Sequence, residues 1–302
     1  MKLTIRQLEY IVAVADSGQF SIAAKQLNVA QPSLSAQIAD CEFHLGARIF
    51  DRDRNGARAT HLGEEIIRRA RIVLDEAEQL FAIATERQIF DGRLRLGVLP
   101  SIGPYILPSV VRALHAKFPD LKAVIKDANT VLLQSGLRDG TIDFAISTPE
   151  DHPNTLHSPL FEERFWVAFA PDDSLARQKA PIGQEQLSGR TLLTLDTSHR
   201  LARIVHELAS RTNALVSPDY SGDSLDTIRM MAATGTGVAI LPEIYAMAVG
   251  KNSRGIVMRR IDLDIAHRRI VLVQKQTKQP IPGTELLAEE LTQQAQLYLE
   301  PR

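Results

Sequence analysis

At Phe90-Asp91-Gly92 the hydrophobic rhythm of this chain changes. Before that point apolar residues recur at helical spacing; after it, short apolar runs alternate with helical stretches. A single core does not serve both patterns. The 302 residues suffice for two domains, each burying a core of its own.

The first stretch opens with three short helices. Leu8, Ile11, Val12 and Ala15 share a face, and Gly18 stops that helix. Ser21 sits where an N-cap belongs for a second helix through Leu27. After Asn28-Val29-Ala30, Gln31-Pro32-Ser33 places proline in a first helical turn, where its missing N–H is harmless, and the pattern runs to Leu45-Gly46. Two helices joined by so tight a turn make a helix-turn-helix. In the third helix Leu34, Ile38, Cys41 and Leu45 form one apolar stripe predicted to face inward. Gln31, Pro32, Ser33, Ser35 and Gln37 lie off it, near the helix start. Singly these are ordinary surface residues; together with Ser21, and directly after a tight turn, they suit base edges and phosphates.

From Ile49 to Thr60 an Asn-Gly pair separates two short extended runs, the pattern of a small hairpin or wing. Arg52, Arg54 and Arg58 lie on it, and between Arg48 and Arg71 seven arginines meet four acidic residues. A charge run is often only a solvated face, but a basic wing beside a helix-turn-helix is placed to hold phosphates. Such a patch has to be local: 35 Lys and Arg against 36 Asp and Glu leave a net charge of −1 and no global field for nucleic acid or membrane.

From Thr60, a cap followed by Glu64 and Glu65, to about Arg87 no proline interrupts a long helical pattern. Ile66, Ala70, Val73, Ala77, Leu80 and Ala84 recur on it at spacings of 4, 3, 4, 3 and 4, a seam of about three heptads. Either a second copy of the chain covers this seam, making a homo-oligomer, or the C-terminal domain does.

Beyond Gly92, strands are predicted at 94–99, 121–126, 144–146, 165–170, 191–195, 238–241 and 270–274, with helices at 104–117, 130–139, 201–211, 226–235 and 283–299. Alternation of this kind predicts a mainly parallel sheet covered on both faces. Ligands in such sheets gather where strands end and helices begin. Ser101, Ile102 and Gly103 hold that position after the first strand and Thr130 after the second; Ser101 and Thr130 also read as plain helix caps. His199, Arg200 and Arg203 open a later helix, and Arg200 offers a planar fork for carboxylate or phosphate, or for a plain surface ion pair.

Cys41 is the only cysteine and the N-terminus carries Lys2, Arg6 and Glu9, so a reduced, cytoplasmic chain is expected. The longest run without Asp, Glu, Lys or Arg, Leu96 to Val111, is 16 residues broken by prolines and does not span a bilayer. An enzyme would find a nucleophile and a base in Ser101 and His199, but no nucleophile elbow or metal-ligand cluster frames them. Gly235 and Gly237 lack the third glycine of a dinucleotide loop. No catalytic residue, cofactor or metal is expected, and a solute-binding protein stands as a second alternative.

Several motifs resemble one family. Leu8-Glu9-Tyr10-Ile11-Val12-Ala13-Val14-Ala15, Ser21-x-Ala23-Ala24-x-x-Leu27-x-Val29-x-Gln31-Pro32-Ser33-Leu34-Ser35, Leu45-Gly46-x-x-Ile49-Phe50-x-Arg52 and Thr60-x-x-Gly63 are similar to the N-terminal pattern of LysR-type transcriptional regulators. The resemblance implies a winged helix-turn-helix over 1–60, a linker and dimerisation helix over 61–90, and over 91–302 an effector-binding domain of two α/β lobes like a periplasmic binding protein. The first lobe would cover about 91–161 and 268–302, the second about 162–267. It also implies double-stranded operator DNA, a small effector, a second copy of the chain (a dimer or tetramer) and RNA polymerase as partners, without a membrane.

A narrower resemblance, in Leu99-Pro100-Ser101-Ile102-Gly103-Pro104, Ser198-His199, Ser224-Leu225-Asp226-Thr227-Ile228-Arg229 and Gly235-Thr236-Gly237-Val238, is to the OxyR-like peroxide-sensor branch. That branch senses through a cysteine pair, the first directly after the histidine matched by His199. Arg200 stands there in this chain, so the resemblance keeps the pocket layout and removes the thiol chemistry. With the hydroxyls and helix starts at Ser101 and Thr130 facing the Arg200 guanidinium, the cleft is expected to take a small anion, a carboxylate by preference, that draws the lobes together, with a redox response lacking the cysteine pair as the alternative.

Overall fold

The computed structural model describes residues 3–53, 56–84, 89–220, 222–250, 255–276 and 281–299. It divides into two compact units, 1–91 and 92–302.

In the first unit, α1 (Ile5–Ser17) starts at Thr4, whose side chain and that of Gln7 cap each other's backbone, and ends at Gly18 in the left-handed region. It is followed by α2 (Phe20–Gln26) and α3 (Gln31–Leu45), the latter with proline in its first turn. Ser21 is not the cap expected of it. Gln19 holds that position without a side-chain bond, and Ser21 is already helical. Ile11, Val14, Ala23, Ala24, Leu34, Ile38 and Cys41 pack into one core with Ile49, Phe50 and Ile67. Leu45, expected on the inward stripe, is exposed because α3 reaches past the core it covers.

The wing is an antiparallel pair, β1 (Phe50–Asp53) and β2 (Gly56–Ala59). Thr60 Oγ1 then accepts from the Gly63 N–H at 2.9 Å and starts α4 (His61–Ala84). A Cβ at Gly63 would lie 2.0 Å from the Ile49 carbonyl oxygen, so only glycine lets the helix approach the wing this closely. The 24 residues of α4 span roughly 36 Å at 1.5 Å each. Its first turns pack on α1, where Arg71 reaches Asp16 at 2.6 Å.

The second unit holds β3 (Arg93–Val98), α5 (Gly103–Lys117), β4 (Lys122–Asp127), α6 (Thr130–Asp139), β5 (Phe144–Ser147), β6 (Thr155–Phe169), α7 (Gln184–Leu187), β7 (Thr191–Leu193), α8 (Arg200–Thr212), β8 (Leu215–Val216), α9 (Leu225–Ala233), β9 (Val238–Pro242), α10 (Glu243–Gly250), β10 (Val257–Arg260), β11 (His267–Lys275) and α11 (Thr284–Ala295). The sheet order is β4-β3-β5-β11-β6-β9-β7-β8, with β10 also on β6. Two lobes share it through β6 and β11, which pair antiparallel and carry the chain across twice. Leu96, Val98, Ile106, Leu133, Phe144 and Ile146 are buried in the first lobe. Phe165, Val167, Leu192, Val205, Ile228 and Ile240 centre the second.

The sheet is mixed, which corrects the expectation of a mainly parallel one. β3 pairs parallel with β4 and β5, and β7 with β8 and β9, whereas every pair made by β6 or β11 is antiparallel. The crossing strands run against the βα units on either side of them. β6 also begins ten residues before the predicted strand, because Glu162, Glu163 and Arg164 interrupt its apolar pattern. No helix among the described residues is long and apolar enough to cross a membrane.

Candidate functional site

On α3 the side chains of Gln31, Pro32, Ser33 and Gln37 are exposed and Ser35 is half-buried. Ala30 occupies the N-cap without a side-chain acceptor, so the first N–H groups of α3 face outward beside them. Gln37 is not a loose surface amide: its Oε1 accepts from Nε2 of buried Gln7 at 3.1 Å, and the same Nε2 donates to Asp40. Ser21 on α2 and Arg58 on β2 are exposed. Arg52 pairs with Ala57 across the wing, its side chain outside the described residues, as is the whole of Arg54. Cys41 faces inward, its thiol pushed up to about 11 by burial and by neighbouring Asp40 and Glu42.

Along the seam of α4, Ile66 is half-buried against the helix-turn-helix core and Ala70 is buried. Val73 is 45% exposed and Ala77 half-buried; the side chains of Leu80 and Ala84 lie outside the described residues.

In the second unit, Ser101, His199 and Arg200 come together where the first-lobe turn after β3 meets the start of α8. With Arg268, Asp223 and Leu195 they surround a cavity of about 20 Å³, the size of a water molecule. His199 is buried, with Nε2 2.7 Å from Asp223 Oδ1. Ile102 and Gly103 do not line the cavity. Ile102 is wholly buried in the core, and Gly103 is packed so closely that a Cβ would stand 2.6 Å from Asp127 Oδ1. Neither Ser101 nor Thr130 is a cap: Ile102 precedes α5 without a side-chain bond, and Asn129 caps α6.

Thr130 and Arg203 lie beside the cavity, 3.5 Å apart, in a cluster that joins the lobes. Asp151, in the turn after β5, pairs through Oδ1 with Arg203 Nη2 and accepts from Thr148 Oγ1 at 2.6 Å through Oδ2. Arg200 stands 4.0 Å from both Asp151 and Glu150, and Glu150 meets Arg269 at 3.2 Å. Arg200 thus sits in ion pairs across the lobes, and its Nε is buried with no hydrogen-bond partner.

The sequence does not single out two buried charged residues at this candidate site. Arg268 on β11 donates to Ser101 Oγ at 2.8 Å and to Glu163 on β6, with its guanidinium 5.7 Å from the Phe165 ring centroid. Glu163 is wholly buried and also accepts from the Ile244 N–H. The signal was a charge facing inward on each of two neighbouring strands. A wider groove of about 1050 Å³, walled by Glu162, Arg164, Asp262, His267 and Thr292, contains none of the predicted residues. Among the described residues no group of three His, Cys, Asp or Glu could hold a metal ion.

Two family descriptions match the chain: "Bacterial regulatory helix-turn-helix protein, lysR family" over residues 5–64 and "LysR substrate binding domain" over 87–296. A hydrogen peroxide-inducible genes activator of Dickeya chrysanthemi is 31% identical over 301 residues, covering 99% of this chain and 98% of that protein. The transcriptional dual regulator OxyR of Escherichia coli K12 is 32% identical over 244 residues, 80% of each chain. Among solved structures, a cysteine-to-aspartate variant of full-length Pseudomonas aeruginosa OxyR superposes with a TM-score of 0.81 at 30% identity, over 96% of this chain and 95% of that one. A cysteine-to-serine variant of Corynebacterium glutamicum OxyR, described as hydrogen peroxide-bound, gives 0.65 at 29% identity over 99% and 96%.

Proposed function

The chain belongs to the LysR family of DNA-binding transcriptional regulators, with a helix-turn-helix and an effector-binding domain, and from that premise we propose that a small anion held between the lobes controls its grip on operator DNA. The observation that carries the effector reading is the convergence of side chains from both lobes on one inter-lobe cavity, Ser101 and its partner Arg268 from the first and His199 and Arg200 from the second. Guanidinium groups and a helix start favour negative charge there. Operator DNA would meet α3 through Gln31, Ser33 and Gln37, with the arginines of the wing on phosphates. The chain works as an oligomer in this reading, and RNA polymerase is the downstream partner.

A second reading has two observations in its favour. The relatives above are peroxide-responsive by name, and the cavity admits nothing much larger than peroxide. In it, the regulator answers hydrogen peroxide without a cysteine pair.

Mapping bound sites across the genome, then following transcription of a mapped gene, tests both. Under the first reading small organic or inorganic anions change expression, and Arg200→Ala abolishes the change while operator occupancy persists. Under the second, peroxide changes expression in a Cys41→Ala strain. Unchanged operator occupancy after Gln31→Ala, Ser33→Ala and Arg58→Ala together overturns the DNA interface.

A further inference from the structure

The inter-lobe ion-pair cluster has an unusual balance. Arg200, Arg203 and Arg269 bring three guanidinium groups, and Glu150 and Asp151 answer with two carboxylates. The Asp151 side chain is 6% exposed, and its second oxygen already accepts from Thr148. Arg200 is poorly served: both carboxylates stand 4.0 Å from its terminal nitrogens, beyond the roughly 2.7–2.9 Å of a charge-assisted hydrogen bond, and its Nε is buried without a partner. Arg200 is also the first residue of the 13-residue helix α8, whose N-cap His199 gives no side-chain bond. The positive end of that helix therefore adds to a guanidinium whose two carboxylate partners both stand at 4.0 Å.

We propose that Glu150 and Asp151 act as an internal stand-in for the effector, and that the ligand displacing them from Arg200 and Arg203 is a dianion, a small dicarboxylate or a phosphate. This rests on the anionic-effector reading above. Two carboxylates on adjacent residues show the charge and spread the site accepts. A diffusible dianion can approach Arg200 to bidentate distance, which residues 150 and 151 do not manage from their own turn. Thr130 Oγ1 accepts from Arg203 at 3.5 Å and donates to the Ser198 carbonyl at 3.4 Å, a bond it would exchange for one to the ligand. The acids come from the first lobe and Arg200 and Arg203 from the second, so displacement removes the ion pairs that bridge the lobes. Binding then loosens the lobes, opposite to the closure expected from the sequence. The roughly water-sized cavity beside the cluster, lined by Arg200 but by neither Glu150 nor Asp151, agrees, because it has no room for a dicarboxylate until the clasp opens. An internal competitor also weakens apparent affinity by the fraction of time it occupies the site.

The test uses the full chain with Cys41→Ala, spin-labelled through Lys122→Cys on β4 and Glu185→Cys on α7, one exposed position in each lobe. Distances by pulsed electron resonance and binding by calorimetry are followed with succinate, inorganic phosphate and, at matched ionic strength, acetate. Succinate or phosphate should lengthen the inter-lobe distance where acetate does not, and whichever of the two acts identifies the source of the charge. The Glu150→Gln/Asp151→Asn variant should be open without ligand and bind the dianion about tenfold more tightly. The single Asp151→Asn variant should lie between, which guards against a folding defect in the double variant. Equal or weaker binding by both acid variants overturns the stand-in while leaving an anion site at Arg200 intact. Binding that survives Arg200→Ala, or no binding of either dianion to the acid-free variant, overturns the stand-in and the anionic-effector reading together.

Discussion

Arg268 Nε lies 2.8 Å from Glu163 Oε1 on the neighbouring crossing strand, and the two side chains are only 5% and 0% exposed. Charges so deep are tolerated because each has a further partner, Ser101 for Arg268 and the Ile244 N–H for Glu163. β6 and β11 are the strands that join the lobes, so the pair pins the hinge and aims Arg268 at the cavity.

Breaking the pair from one side should be expensive. Arg268→Ala leaves a carboxylate buried and unpaired, at a cost of about 3–5 kcal/mol. The Arg268→Leu/Glu163→Leu double variant should cost much less than the sum of its single changes, read from urea midpoints. Additive costs would show that the two residues are not coupled.

The DNA-binding unit should separate affinity from sequence preference. Arg58→Ala should weaken binding to all sequences and lower the salt slope by about 1. Gln31→Ala should instead relax preference at one base pair by about 1–3 kcal/mol. Fluorescence anisotropy on matched and mismatched operators over a salt series distinguishes the two.

Cys41 should be a spectator. Its thiol is buried and pushed up to about 11, so little thiolate exists at neutral pH, and the thiolate is the reactive form. The native chain should stay unmodified by a disulfide reagent that labels it at once in urea. Cys41→Ala should cost about 1 kcal/mol and leave the regulatory response intact. Reversible loss of operator binding on peroxide treatment, absent in Cys41→Ala, would contradict this.

His152 is wholly buried, with Nδ1 2.7 Å from Gln134 Oε1 and Nε2 unpartnered. Burial pulls its pKa down to about 4, against an opposing pull from Asp151. A histidine lowered from 6.5 in the folded state is protonated first in the unfolded chain. Its stabilising effect is therefore complete above pH 6.5 and is lost as pH falls toward 4, to a total of about 3 kcal/mol. Urea midpoints of His152→Gln should fall less steeply than those of the parent across that window.

The winged unit was legible because its constraints are local: a cap such as Thr60 on Gly63, and a tight turn, each act within a few residues. Ser101, His199 and Arg200 were legible for a similar reason, being strand-end or helix-start positions. Arg268 and Glu163 were not. A charge inside a strand reads as an exposed face, and only the partner 105 residues away turns it inward. The Asp151–Arg203 contact joins residues 52 apart across two lobes, which no periodicity records. Strand direction is equally silent in a period of two, hence the misjudged parallel sheet.

The seam on α4 is only partly free to meet a second chain. Of its first two members Ile66 packs against the helix-turn-helix core and Ala70 is buried, and Ile67 beside them belongs to that core. Val73 is the first seam residue that the chain leaves open, at 45% exposure. An oligomer contact along this helix should therefore start at Val73, not at Ile66. Val73→Glu puts a charge into that contact without touching the core, so sedimentation should show separated subunits that remain folded by circular dichroism. Operator affinity should collapse with them, because two recognition helices have to be held about one DNA turn apart. Ile67→Glu should instead unfold the N-terminal unit. An intact oligomer in Val73→Glu would place the subunit contact elsewhere and leave the C-terminal domain as the cover of the seam.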